Sequence, residues 1–168
     1  MRIISEKSTT PSGRRWPAYA ATAAAVTATA VLGARAVDPD STWYRSLAKP
    51  PWQPPSWAFG AVWTPLYASI AWAGGRALAA AEGRDRAALA TSLGVNLGLN
   101  SAWNWLFFRR QSPAAGLVGT SLLDVSNAEL IRRTQRTDPT AAAALLPYAA
   151  WCVFATALNA DIARRNSR

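Results

Sequence analysis

WYRSLAKPPWQPPSWAFGAVW, residues 43–63, holds four Trp, one Tyr and four Pro in twenty-one positions. Pro50, Pro51, Pro54 and Pro55 fall within six residues, where they remove four backbone donors and push the residues before them toward extended conformations. The interior of a helix or strand rejects such a stretch, so it reads as a stiff, bent, aromatic loop. An apolar run begins near Trp57 and fixes one end of this loop to whatever that run packs in. The stretch is a candidate lid, and the rest of the chain decides what it covers.

The chain has 168 residues, about one domain by length, and a formal net charge of +9 with no His. Such a charge suits either a nucleic-acid-binding protein or a membrane protein with basic loops. Placement decides between them. The eighteen basic residues are scattered in small groups such as Arg14 and Arg15, Arg109 and Arg110, Arg132 and Arg133, Arg164 and Arg165, between apolar runs rather than along one stripe. That is the membrane pattern, with the lipid bilayer as partner and no nucleic acid. A lone Cys152 in an apolar segment excludes an intramolecular disulfide, and without His there is no four-ligand zinc or iron site; no metal and no cofactor are expected.

A mean hydropathy near zero leaves an alanine-rich soluble bundle open on composition alone, but the charge-free intervals are more informative. They run 19 residues between Arg15 and Arg35, 26 between Lys49 and Arg76, 22 between Arg86 and Arg109, 13 between Arg110 and Asp124, and 22 between Asp138 and Asp161. About 20 apolar residues cross a hydrocarbon core, and soluble helices carry charges every few residues on their solvated face. The expected fold is therefore all-α: a polytopic membrane protein built as a five-transmembrane-helix bundle. The spans fall at residues 17–37, 57–81, 87–108, 113–132 and 140–163. The fourth carries Asp124, Asn127 and Glu129, so its second half either leaves the bilayer or faces protein and water.

Residues 1–15 are polar and aperiodic and read as a disordered basic tail ahead of a single membrane domain, 16–168. Arg14, Arg15 and the Ala34, Arg35, Ala36 triplet also mimic a signal peptide around the first span. Pro65 and Pro147 interrupt the second and fifth spans, where each frees a carbonyl and bends the helix unless neighbours compensate. Ala90, Gly94, Gly98 and Ala102 form a small-residue ridge on the third span, suited to close packing inside one bundle or to a homodimer interface.

Helical spacing puts Trp63 and Tyr67 on one face of the second span, Asn100, Trp103 and Phe107 on one face of the third, and Trp151, Ala155 and Leu158 on one face of the fifth. If these stripes converge beneath the loop, they line an apolar cavity for a flat hydrophobic ligand, with Asn100 and Tyr hydroxyls as orienting groups. A soluble-enzyme site is hard to assemble. There is no His, no Gly-rich phosphate loop and no carboxylate pair sharing a pocket.

WYRSLAKPPWQPPSW followed by FGAVWTPLY, then LGLNSAWNWLFF, then PYAAWCVFATALN, resembles the TspO/MBR family of tryptophan-rich sensory proteins and translocator proteins, also called peripheral benzodiazepine receptors, over residues 17–164. The resemblance implies a five-helix bundle, often homodimeric, with a cavity near the helix ends closed by the loop between the first two spans. Its ligands include porphyrins, sterols and synthetic benzodiazepine-site compounds. By matching motif positions, the site comprises Tyr44, Pro54, Trp63, Tyr67, Asn100, Trp103, Trp151, Ala155 and Leu158. Trp63 and Trp151 match positions implicated in porphyrin breakdown by bacterial relatives, which makes them the candidates for catalysis.

Three departures from the family pattern bear on the ligand. Ala61 stands where the family has Pro, with Pro65 one turn later; Gly119 replaces an acidic residue; and Ala160 and Asp161 follow Leu158 and Asn159 where the sterol motif needs a Tyr. A porphyrin or other tetrapyrrole is the expected partner, bound by a receptor or transporter-like protein. The alternative is light- and oxygen-dependent degradation of that porphyrin. A bacterial inner membrane is the expected location.

Overall fold

Alanine, valine and leucine runs broken by single polar residues favour helices whose backbone groups are satisfied internally, as a bilayer demands. A computed structural model describes residues 15–167, and the tail expected over 1–15 lies outside them except for Arg15. Five long helices are present: α1 (Trp16–Ala34), α3 (Ser56–Ala80), α4 (Gly83–Asn104), α5 (Pro113–Thr137) and α6 (Pro139–Arg165). A short helix, α2 (Thr42–Ser46), lies between α1 and α3, and a π-helical turn, Trp105–Arg109, continues α4. The described residues contain no strand.

The five expected spans correspond to α1, α3, α4, α5 and α6. The first helix stops at Ala34, before the expected 37, and the third expected span is shifted to Gly83–Asn104; two further differences have a local cause. The loop expected from Trp43 onward opens with the helical turn α2, whose first turn is capped where Ser41 Oγ accepts from the Tyr44 N–H at 3.3 Å. The fourth span runs on to Thr137 because Glu129 pairs with both Arg132 and Arg133 on its exposed side and carries the helix past the apolar stretch. Both internal prolines are absorbed within continuous helices.

Neighbour packing closes the five helices into a ring in the order α1, α4, α5, α6, α3 and back to α1. Small residues set the α1–α3 seam: Thr22 Oγ1 donates to the Ala71 carbonyl at 2.9 Å, and Gly75 lies so close to Tyr19 that an added Cβ would sit 2.9 Å from the Tyr19 Cα. Asp138 makes the tight α5–α6 corner. Its carboxylate accepts from the Ala141 N–H at 3.0 Å and faces Arg76 at 2.7 Å, and these contacts hold its pKa below the usual range.

The exterior is apolar, and polar side chains are buried within a largely apolar core. Asn96, Asn100, Asn127 and Thr134 are buried, whereas Val95, Val118, Leu122, Val125 and Val153 are exposed; Val125 is 69% exposed and Asn96 0%. A soluble bundle keeps its exterior polar, and an apolar exterior with polar contacts between helices is what lipid selects. By hydropathy alone, among the described residues only α1 and α6 are apolar enough to cross a membrane. The inward-facing asparagines contribute to the lower mean of α4 and α5 without touching lipid.

Gly75→Ala is expected to force α1 from α3 and to lower stability by about 1–3 kcal/mol, as overpacking does. Gly94→Ala, which meets no atom within 4 Å, is expected to leave it within about 0.5 kcal/mol. Thermal unfolding of the purified protein in detergent compares the two.

Candidate functional site

The aromatic stripes converge at the end of the bundle where α1, α4 and α6 finish and α3 begins. There they enclose a cavity of about 400 Å³, within the usual range for small-molecule sites. α3 contributes Ser56, Phe59, Gly60, Trp63 and Tyr67; α4 and its π turn contribute Trp103, Asn104, Phe107 and Phe108; α6 contributes Ala155, Leu158, Asn159 and Ile162. Ala30 and Ala34 of α1 and Val37 and Pro39 beyond it form the remaining wall, under a lid that supplies Tyr44 and Gln53. Among the described residues no charged side chain lines this space.

The walls are built from ring contacts. Trp63 stacks on Tyr67 with centroids 5.1 Å apart, and Trp103 stacks on Phe107 at 5.8 Å. The π turn widens the end of α4 so that the consecutive residues Phe107 and Phe108 both reach Tyr44 of the lid, at 6.3 and 5.4 Å. Trp43 meets Phe107 edge-on at 5.5 Å, and Trp52 meets Phe154 at 5.8 Å, so aromatic packing seats the lid at both ends.

Of the nine residues expected to bind ligand, six line the main cavity: Tyr44, Trp63, Tyr67, Trp103, Ala155 and Leu158. Asn100 and Trp151 line a separate annex of about 20 Å³ behind it. Trp151 is screened by Phe59, whose ring meets it at 6.0 Å. Pro54 lines neither space; it shapes the lid backbone.

Asn100 is buried because it is a structural hub. Its Oδ1 accepts from the Tyr67 hydroxyl at 3.0 Å, and its Nδ2 donates to the Tyr148 oxygen at 3.1 Å. The Tyr148 hydroxyl donates to Asn96 Oδ1 at 2.9 Å, and Asn96 Nδ2 donates to Asn127 Oδ1 at 2.7 Å. Asn100 therefore orients Tyr67 from behind and does not line the main cavity.

Sequence spacing missed Gln53, Asn104 and Asn159. Asn159 is buried with its Nδ2 held by the Ala155 carbonyl at 2.9 Å, which fixes the amide orientation and leaves Oδ1 without a partner. Asn159 lies one residue beyond the Trp151, Ala155, Leu158 stripe, and Asn104 one residue beyond Trp103; extending those stripes by one position was the available signal. Gln53, amid prolines, carried none. In the lid its Nε2 donates to the Tyr44 oxygen at 3.1 Å. Burial pushes the Tyr44 phenol up and the Lys49 amine down, and Lys49 Nζ sits 4.0 Å from the centre of the Tyr44 ring. Tyr44 stays protonated at neutral pH, with its hydroxyl hydrogen free to donate.

Residues 20–165 match the TspO/MBR family. The chain belongs to that family. It is 40% identical over 124 residues to the tryptophan-rich protein TspO of Archaeoglobus fulgidus, covering 70% of this chain and 76% of that protein. To the protein of the same name from Chlorobaculum tepidum it is 35% identical over 129 residues, 76% of this chain and 82% of that one. The human translocator protein is 34% identical over 127 residues, 74% and 75% of the two chains. As a TspO/MBR protein it is a helical membrane protein, in agreement with the apolar exterior of the ring.

Asn100→Ala strands the Tyr67 hydroxyl and is expected to cost about 1–3 kcal/mol of stability. Tyr67→Phe added to it should cost little more, because the shared hydrogen bond is already lost. A double-mutant cycle on thermal unfolding reads the coupling.

Proposed function

We propose that this chain is an integral membrane receptor that takes up flat hydrophobic ligands, chiefly porphyrins, in the cavity beneath the lid. The observation that carries this reading is the cavity's composition: Trp63, Tyr67, Trp103, Phe107 and Phe108 surround it, and none of the described residues brings a charge into it. Such a space accepts an aromatic plane and rejects ionised groups. The propionates of a porphyrin then belong at the mouth. Lys49 leans over Tyr44 there, while Arg45 is already paired with Asp40 at 3.0 Å. A bacterial inner membrane is the setting we propose, supported by the similarity to the Chlorobaculum tepidum protein.

A homodimer is part of the proposal. A Cβ added at Gly94 or Gly98 would meet no neighbouring side chain or helix within 4 Å among the described residues, and Ala90 is exposed, so most of the ridge that ends at Ala102 faces out of the bundle rather than packing inside it. Gly94→Leu is expected to convert a dimer to a monomer without changing the monomer's unfolding temperature. Mass measurement in detergent and in lipid nanodiscs tests this, and an unchanged mass in both would refute it.

One observation favours a second reading, light- and oxygen-dependent porphyrin degradation: the oxidisable Trp63 indole and Tyr67 phenol stack in the cavity wall. Trp151, behind Phe59, has a weaker claim to contact the ligand. Titration of the protein in nanodiscs with protoporphyrin, followed by Trp fluorescence, distinguishes the readings. Saturable quenching is expected, weakened about five- to tenfold by Trp63→Ala and less by Trp151→Ala. An unchanged porphyrin spectrum after illumination in oxygen supports a receptor; a product that disappears with Trp63→Phe supports degradation. Absence of saturable quenching would remove porphyrin from the proposal.

A further inference from the structure

The lid is short of directed attachments. Between Ala48 and Pro55, four of eight residues are prolines without an N–H. Most hydrogen bonds of the described lid are local: Gln53 N–H to the Pro50 carbonyl, Ser46 Oγ to the Trp43 carbonyl, and Gln53 to Tyr44. Among the described residues, only one side chain joins residues 42–54 to the helices by hydrogen bonds. Asn166 Oδ1 accepts from the Ala48 N–H at 3.0 Å, and its Nδ2 donates to the Ala48 carbonyl at 3.0 Å.

The same Asn166 amide is held from its own helix. Asn166 caps the last turn of α6, where its N–H donates to the Ile162 carbonyl at 3.1 Å, and its Nδ2 also donates to that carbonyl at 2.8 Å. Ile162 lines the cavity, and Ala48 lies between the two lid residues that do, Tyr44 and Gln53. One side chain thus fixes the middle of the lid relative to the wall it closes against. The ring contacts of Trp43, Tyr44 and Trp52 supply area, while the two-point clasp supplies register.

We propose that Asn166 is the positioning residue of the site: it clasps the lid at Ala48 and sets how fast ligand leaves. Its role in ligand release rests on the porphyrin reading above, whereas the clasp does not. Ligand leaving through the lid must break both Ala48 bonds, and restoring them places Tyr44 and Gln53 over the cavity.

The test compares the full chain and Asn166→Ala in nanodiscs by hydrogen exchange of lid peptides and by protoporphyrin dissociation kinetics. Loss of two hydrogen bonds is expected to speed both about tenfold, with α3 and the middle of α6 exchanging as before. Arg165→Ala, which removes an ion pair to Asp161 beside the clasp without touching the lid, should leave both at the wild-type rate. Unchanged lid exchange in Asn166→Ala, or faster exchange throughout the bundle, would overturn the clasp. Faster lid exchange with unchanged dissociation would overturn its role in release. If the wild type shows no saturable protoporphyrin binding but lid exchange still rises in Asn166→Ala, the porphyrin reading fails and the clasp stands.

Discussion

Four buried side chains and the half-buried Tyr67 form one line of hydrogen bonds across four helices: Tyr67 on α3, Asn100 and Asn96 on α4, Tyr148 on α6 and Asn127 on α5. In a bilayer, apolar contact between helices gains little over contact with lipid, so directed bonds and close packing of small residues must specify which helices meet. This line does so for four of the five. α1 joins by the other route, through Thr22 on the Ala71 carbonyl and the glycines of α3. Every member of the line has at least one partner, which offsets the cost of polar groups at that depth, although among the described residues Asn127 Nδ2 is left without one.

The cavity is a consequence of this ring. Hydrogen bonds draw α3, α4 and α6 together at mid-bundle, and the helices part toward the lid, where large rings replace small and polar side chains. Trp63 stacks on Tyr67 and Trp103 on Phe107 within single helices, while Trp63 also meets Tyr148 of α6 and Phe107 meets the lid, and the space lies between these stacks. The result is a neutral aromatic chamber whose floor is polar and whose roof is a separate segment. Tyr67 belongs to both regions: its ring stacks in the wall while its hydroxyl is anchored in the polar line. A change at Asn100 therefore reaches the chamber without a residue of the main cavity being altered.

The lid is stiff for one reason and held for another. Its prolines restrict the backbone in the unfolded and folded chain alike, which lowers the entropy lost on ordering. They also remove the donors that would tie it to the bundle, so aromatic contacts and Asn166 share that role. A segment that is internally rigid and externally weakly bonded can move as a unit, which is the mechanical requirement for covering a ligand site.

Local rules were enough to read the five helices, the proline-rich lid and the shared faces of Trp63 with Tyr67, Trp103 with Phe107 and Ala155 with Leu158. Helical periodicity and proline geometry act over a few residues, and the membrane pattern follows from where charges are absent. The TspO/MBR resemblance rested on the same local blocks. What the sequence by itself could not determine was which parts of each face open onto the cavity. Trp151 lies on the expected face, yet Phe59 from another helix screens it; Asn100 lies beside Trp103, yet two tyrosines from two helices claim it. Asn166 meets Ala48 across 118 positions, and the Gly94 ridge faces outward only because α5 and α1 pack on the other sides of α4. Such placements depend on the closure of the ring, which is set jointly by all five helices, and no spacing within one of them encodes it.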